Sequence, residues 1–541
     1  MIRLYTLPGL AFNMPHMSSC LTAGYLLRKK IDVAHIDLSI KFLDSCLNAN
    51  YIKTNLISRY LKLSHDEKEI LNGIETSINI MKSRNESTEK ILNANMNFGK
   101  ALNVFASLYN LKWHINGMGF NYKVTTVDDL LELSFYEENS IFDYIFSKEL
   151  SNSIEDIIIL SIKYPYQMPF ALRFSKLLKE KNKKIKIILT GDYITNIKEN
   201  CTELINKCNY IDAVVFNGYQ KALVKVFNYY HDGKSSAIPN TIYRNSKNEL
   251  IIGETRKDTI NDINDYIPSF DNLDLSKYLS NIRIIPLILN YGCYHSKCSF
   301  CSRYYYYGGY CRLDIKAICK LIKEQYENNK IEGIYFVDEC APPEILLEVS
   351  KYLIDNKIKI KWLVETRIEK SFLNKDISKL MYESGCREIS FGIESYNKRI
   401  LKHMKKDLDL KVAKEVMKNF CLNGISVSAT FMVNYPTEYI SNTIKTLFFI
   451  KNFKYLDGFR LSKFMYLRNS FLVNNSNIDP AADLNIVYVL KSDKHTISNW
   501  LVNKFYETKK IKKYNEIRNK VLYRTELIYL DKSLLSLNYK K

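Results

Sequence analysis

Along the chain, short runs of β-branched and other apolar residues alternate with longer stretches whose apolar positions recur every three to four residues. That alternation predicts parallel strands joined by covering helices, an α/β fold. The strands fall into two sets. The first comprises "IRLYT", "IDVAHIDL", "DIIILSIK", "KIKIILTG" and "DAVVFNG", with the helical "MPFALRFSKLLKEKN" between the third and fourth. It predicts an open, doubly wound, Rossmann-like sheet over residues 1–240, whose ligand sits at the carboxyl ends of the strands. A mostly helical insertion, about 41–152, interrupts it. Residues 241–279 are polar and turn-rich and are predicted to be an interdomain linker. The second set comprises "RIIPLILN", "GIYFVDE", "IKWLVETR", "EISFGIES", "ISVSATFMVNYP" and "GFRLSKFMY". Amphipathic segments of helix length follow the first five. Six such units predict a partial (β/α)6 barrel over residues 280–470, with chemistry at the strand C-terminal ends. Residues 471–541 are Lys- and Tyr-rich and predicted helical, and no chemistry is read from them.

Composition narrows this picture only slightly. A chain of 541 residues exceeds one core. The net charge of +20 would permit nucleic acid or anionic lipid as partners. Lys, however, is abundant together with Asn, Ile and Tyr, while Gly is only 18 residues, a pattern of base-composition bias. No dense basic block stands out, so nucleic acid is not expected. The longest apolar runs are far short of a membrane-spanning helix, and no basic segment followed by an apolar run opens the chain. A cytoplasmic protein without a membrane partner is expected. The twelve cysteines are too dilute for a disulfide scaffold, and most are scattered in apolar or helical contexts.

Three are not scattered. Cys293, Cys298 and Cys301 are spaced C-x4-C-x2-C in the loop after "RIIPLILN", where a barrel places its active site. A structural zinc site would need a fourth ligand, for which His295 inside the loop is the only near candidate. An electron-transfer cluster would use four cysteines. The third reading is a 4Fe–4S cluster with three protein ligands and one iron open to a small molecule. Three tight sulfurs, with no later cysteine pair at a comparable strand end, favour that third reading.

The stretch "GCYHSKCSFCS" resembles the cluster loop of the radical S-adenosylmethionine (SAM) enzymes, in a "GCYWxxCxFC"-type variant of cobalamin-binding, peptide-modifying members. The resemblance implies that the open iron chelates SAM and that Phe300 packs near the adenine; ordinary loop packing is the alternative for Phe300. "FVDE" implies Asp338 and Glu339 as receivers of the SAM ammonium, against a solvated or capping pair. "ETR" implies Arg367 for a carboxylate, against a surface salt bridge. "SFGIES" implies Glu394 as acceptor from the ribose hydroxyls. "MVNYPTE" matches a segment usually written "GFPGET", with Asn434 where glycine is common.

The first sheet resembles the cobalamin-binding domain of this subfamily, and "YIPSFDNLDLSKYL" resembles its linker. Ser161, Tyr164, Gly191 and Thr195 would line a cobalamin site, Ser161 and Thr195 otherwise capping helices. No D-x-H-x-x-G is present, so no protein histidine is expected below the cobalt. Asp192 follows Gly191 where a second glycine is usual. Together the resemblances imply a radical C-methyltransferase. One SAM methylates cobalt, and a second yields the 5′-deoxyadenosyl radical that abstracts hydrogen from an unactivated carbon. The implied substrate is a small peptide, of the ribosomally made kind by the cluster-loop variant, or a natural product; the implied electron donor is a flavodoxin or ferredoxin. The alternatives are a non-methylating radical SAM enzyme (cyclisation, crosslinking or rearrangement) with a degenerate cobalamin domain, and a metal-stabilised binding protein.

Overall fold

The structure, a computed structural model, describes residues 2–9, 11–114, 117–120, 124–136, 140–151, 156–233, 237–256, 265–302, 310–474, 483–485, 487–488, 496–521 and 524–528. The first sheet is built from β1 (Ile2–Thr6), β2 (Val33–Asp37), β3 (Ile157–Ser161), β4 (Lys186–Thr190), β5 (Ala213–Val215), β6 (Thr241–Arg244) and β7 (Leu250–Ile252). Its order is β2-β1-β3-β4-β5-β6-β7. The first five strands are parallel, and the chain reverses direction across the sheet between β1 and β3. Every residue of β3 is buried, as a parallel strand covered by helices on both faces requires.

The stretch expected as linker from residue 241 begins later. Its first part is an antiparallel hairpin that completes this sheet, β6 on β5 and β7 on β6. The polar "NSKN" that reads as linker is the hairpin turn: Asn245 Oδ1 accepts from the Lys247 and Glu249 N–H groups, and Asn248 takes φ 63°. The true connector, from about residue 265, packs on the first domain. Tyr278 Oη donates to Asp37 Oδ2 at 2.9 Å, and Arg28 donates to the Ile267 carbonyl at 2.7 Å. Gly24 permits that crossing, because a Cβ there would overlap the Ile267 carbonyl.

The insertion is helical as expected, its longest helix spanning Thr88–Ser107, with a small hairpin of Leu111–His114 and Gly117–Phe120 added. The second sheet contains β8 (Ile284–Leu287), β9 (Gly333–Phe336), β10 (Lys361–Thr366), β11 (Cys386–Glu394), β12 (Ser426–Val433) and β13 (Gly458–Lys463). All are parallel and paired in sequence order, the predicted six-stranded partial barrel.

Two long-range ties join the parts. Helices Thr496–Glu507 and Lys509–Arg518 lead to a turn at Arg524–Ile528, where Arg524 pairs with Glu365 and Glu388 of the barrel. In the same turn the Glu526 carboxylate accepts from Asn95 of the insertion at 2.8 Å. Arg468, fully buried, donates to Glu199 Oε2 at 3.0 Å and Asn200 Oδ1 at 3.1 Å in the first domain. Among the described residues no helix is long and apolar enough to cross a membrane.

Candidate active site between the two sheets

The carboxyl ends of both sheets open onto one cavity of about 930 Å3. From the first domain it is lined by His16, Lys163, Tyr164 and Asp192; from the barrel by Asn290, Asp338, Glu339, Glu365 and Arg460. Arg518 and Arg524 of the C-terminal segment complete its wall, so the region whose sequence carries no readable chemistry supplies two guanidinium groups to the site.

The three cysteines lie half-buried on the loop after β8. The loop is anchored from outside. The Ser299 N–H donates to the Met404 carbonyl at 3.0 Å, and its hydroxyl is 2.9 Å from the buried Tyr435 Oη. His295 Nε2 is 2.8 Å from the Lys405 carbonyl oxygen, so its ring is directed to backbone. Among the described residues no three His, Cys, Asp or Glu side chains are gathered as metal ligands; the sulfurs share a loop without converging. Their chemistry nevertheless suits an iron–sulfur cluster. A hydrogen bond from the buried Cys340 thiol pulls Cys293 down to about 6 against burial. Burial raises Cys298, while the Lys406 and Arg367 cations oppose it. Cys298 beside the Lys406 and Arg367 cations, with Cys293 also near Arg367, matches an anionic cluster with thiolate ligands.

At the end of β9, Asp338 is buried with Oδ1 accepting from the Leu289 and Asn290 N–H groups, both at 2.9 Å. Its Oδ2 has no hydrogen-bond partner among the described residues. Burial pushes this carboxyl up to about 7, with the neighbouring Glu339 adding to the shift. Glu339 is half-buried on the same cavity wall. Arg367, after β10, donates to Glu369 at 3.3 Å and to the Lys406 carbonyl at 3.0 Å, while its buried Nη1 likewise lacks a partner. The two orphan atoms are of opposite charge and have the chemistry of a zwitterion's two ends.

Glu394 ends β11 at φ 66° and is already held, 3.0 Å from Lys406 Nζ, with the Thr430 hydroxyl donating at 3.4 Å. Lys406 gives no sign of this pairing in the sequence. Phe300 packs against Ile400, Met404 and Tyr435, the loop-packing alternative. Asn434 stands at φ 66° and donates to Asn499 at 3.0 Å. Asparagine thus meets the left-handed conformation for which glycine is usual. The run Tyr304–Tyr307 lies outside the described residues.

At the first sheet, Tyr164 lines the cavity and stacks on Tyr166 with ring centroids 5.3 Å apart. Ser161 and Thr195 are buried and do not line it. Thr195 Oγ1 accepts from the Asn217 N–H at 3.1 Å. Gly191 takes φ 115°, and a Cβ there would overlap the Ile162 carbonyl. The cavity-lining groups are the adjacent Lys163 and Asp192, paired with each other.

Residues 287–450 match the radical SAM superfamily. An uncharacterized methyltransferase of Pyrococcus horikoshii is 23% identical over 287 residues, a stretch covering 52% of this chain and 61% of that relative, under two thirds of its length. The cobalamin-dependent SAM radical enzyme OxsB, solved with aqua-cobalamin and SAM bound, superposes with a TM-score of 0.61 at 12% identity, covering 96% of this chain and 71% of that one. The radical SAM methyltransferase TsrM from Kitasatospora setae, with tryptophan substrate and a SAM analog bound, gives 0.59 at 9% identity, covering 93% and 88%. The family match lies within the barrel, and the two-domain fold is similar to that of these cobalamin-dependent radical SAM enzymes.

Proposed function

We propose that this protein is a cobalamin-dependent radical SAM methyltransferase that modifies an unactivated carbon of a peptide or natural product. The observation that supports the reading is the shared cavity, lined by Lys163, Tyr164 and Asp192 at the end of the first sheet and by Asp338 and Glu339 at the end of the second, with Gly292, next to Cys293, on its wall. When bound, the 4Fe–4S cluster supplies the electron that splits SAM, and cobalamin supplies a methyl carrier.

The chain's own residues bind and orient. Cys293, Cys298 and Cys301 hold three irons on a loop fixed by Tyr435. Asp338 Oδ2 receives the SAM ammonium and Arg367 Nη1 its carboxylate, the two orphan atoms of the barrel mouth. Glu339 adds negative charge beside Asp338. Glu394, steadied by Lys406, accepts a ribose hydroxyl. Phe300 supports the loop from behind. On the sheet side Tyr164 would border cobalamin, Gly191 would keep the backbone close-packed against Ile162 at that end of the sheet, and the buried Ser161 and Thr195 would hold the strand ends. A flavodoxin or ferredoxin is the electron donor, and a reducing cytoplasm suits the half-buried thiols.

The test is anaerobic reconstitution with iron, sulfide and hydroxocobalamin, then metal analysis and a SAM-cleavage assay with a strong reductant. About four irons, retained cobalt and 5′-deoxyadenosine are expected, with Cys298→Ala abolishing cleavage. Iron without cobalt overturns the cobalamin half of the reading. No SAM cleavage overturns the radical half.

A further inference from the structure

One wall of the shared cavity, formed by β13 and by the helix Lys509–Arg518 laid against it, has no part in holding the cofactors. The helix is docked by Tyr514, whose hydroxyl accepts from the Phe459 N–H at 3.2 Å and whose ring stacks on Phe459 with centroids 5.2 Å apart. Gly458 leaves room for it, because a Cβ there would stand 3.3 Å from Tyr514 Oη. Arg518 lies four residues beyond Tyr514, one helical turn along the same face. Arg460 follows Phe459 and is in register with Thr430 of β12. Arg460 and Arg518 both line the cavity, and Arg524 joins them from the turn that follows the helix.

The three guanidinium groups are not equivalent. Arg524 is paired with Glu365 and Glu388. The Arg460 and Arg518 guanidinium groups have no hydrogen bond or ion pair among the described residues. Both lie in the field of the buried Glu388: burial raises that carboxyl, and Arg518, the Ser428 hydroxyl and Arg460 oppose the rise. Glu388 and Asp457 are behind the wall, Glu388 accepting from Ser428 at 2.7 Å and Asp457 from the Val427 N–H at 3.0 Å. On the wall itself three cations therefore stand with one carboxylate, Glu365. Arg460 is exposed and Arg518 half-buried, so an anion entering the cavity can reach both. A carboxylate offers about four acceptor positions in one plane, which two guanidinium forks can fill.

We propose that Arg460 and Arg518 bind a carboxylate of the substrate, so that the molecule modified is an acid. Arg524, by engaging Glu365 and Glu388, occupies the carboxylates that would otherwise close on the other two guanidinium groups. The SAM carboxylate is assigned to Arg367, which is off this wall. The inference names the substrate class of the proposed function and rests on it for calling the bound acid the substrate. It also gives the C-terminal segment a part in specificity that its sequence does not announce.

The experiment uses the full chain reconstituted with cluster and cobalamin, and reads arginine accessibility rather than turnover. Phenylglyoxal modification of each arginine is followed by peptide mass spectrometry, with hippurate, a small acyl-glycine, as the probe. Its uncharged amide, hippuramide, is the control, and phenyl phosphate is the competing anion. Hippurate should slow modification of Arg460 and Arg518, and hippuramide should not. In Arg518→Gln, hippurate binding by calorimetry weakens at least roughly tenfold, and Arg518→Lys, which keeps the charge without the fork, recovers only part of it. Arg460→Gln, at an exposed position, shows the same loss should the first variant misfold. Protection by SAM alone would assign the guanidinium groups to the cofactor, and stronger protection by phenyl phosphate would make the ligand a phosphate. Equal protection by hippurate and hippuramide, or none, would remove the anion site. Each of these overturns the inference and leaves the proposed function standing. SAM cleavage and cobalt retention are measured on the same preparation; their absence with hippurate protection intact overturns the proposed function and leaves the carboxylate site.

Discussion

The two faces of the shared cavity hold their polar groups in different ways. On the barrel side the charges are cross-linked: Arg524 with Glu365 on the cavity wall and with Glu388 behind it, and Lys406 with Glu394 and Arg367 with Glu369 beside the cysteine loop, off that wall. At the first sheet one ion pair, Lys163–Asp192, stands among a neutral imidazole and a stack of tyrosines. A cross-linked set of charges is pre-oriented and loses little freedom when a small charged ligand arrives. Neutral rings around an open space select by size and shape instead. Under the proposed function, the barrel side would orient a zwitterion and the sheet side would accommodate a bulky ring system.

The largest effect that tests this contrast belongs to Asp338→Asn. Losing a charge-assisted contact worth about 1.5–3 kcal/mol weakens SAM binding roughly 10- to 100-fold, measured by equilibrium dialysis. The Asp338 carboxyl is pushed up to about 7, so it is largely protonated at pH 6 and ionised at pH 8. SAM affinity of the unaltered protein should rise across that interval, and that of the variant should stay flat. A pH slope that survives in the variant would remove Asp338 from the site. Next comes Gly191→Ala on the sheet side, where φ 115° and the close Ile162 carbonyl make a Cβ cost roughly 1–3 kcal/mol. A lowered Tm with weakened cobalamin retention, at unchanged iron content, would show the two faces to be independent. A parallel loss of iron would join them. The smallest change is Tyr435→Phe, which removes the hydroxyl bonded to Ser299 and costs about 1 kcal/mol. It should speed iron loss to a chelator roughly fivefold and leave cobalt alone; equal rates would show that the loop is held without it.

Much of the architecture was readable from periodicity, because buried parallel strands such as "IIILS" and "KIILT" are apolar without interruption. The hairpin Thr241–Ile252 was not, since edge strands flanking an Asn-rich turn look like a linker until the sheet they join is known. The cysteine loop announced itself by spacing. Asp338 and Arg367 did so only through the family segments, and their orphan atoms required the fold. Lys406, Arg518, Arg524 and His16 left no local signal, because each reaches the site through chain reversal or long-range packing. At the sheet end Tyr164, named from resemblance, lines the cavity together with its neighbour Lys163 and with Asp192, whereas Ser161 and Thr195 do not.

Arg468 has a mechanical consequence. Its guanidinium is wholly excluded from water and bonded to Glu199 and Asn200 across the domain boundary. Glu199 keeps part of its side chain in water, so parting the pair costs less than breaking a fully buried one, yet it would strand the buried guanidinium. The two halves are welded there rather than hinged. That tie opposes any opening of the cavity by rocking one sheet away from the other. A substrate would enter by threading between side chains and loops at the cavity rim, with the sheets on either side standing still.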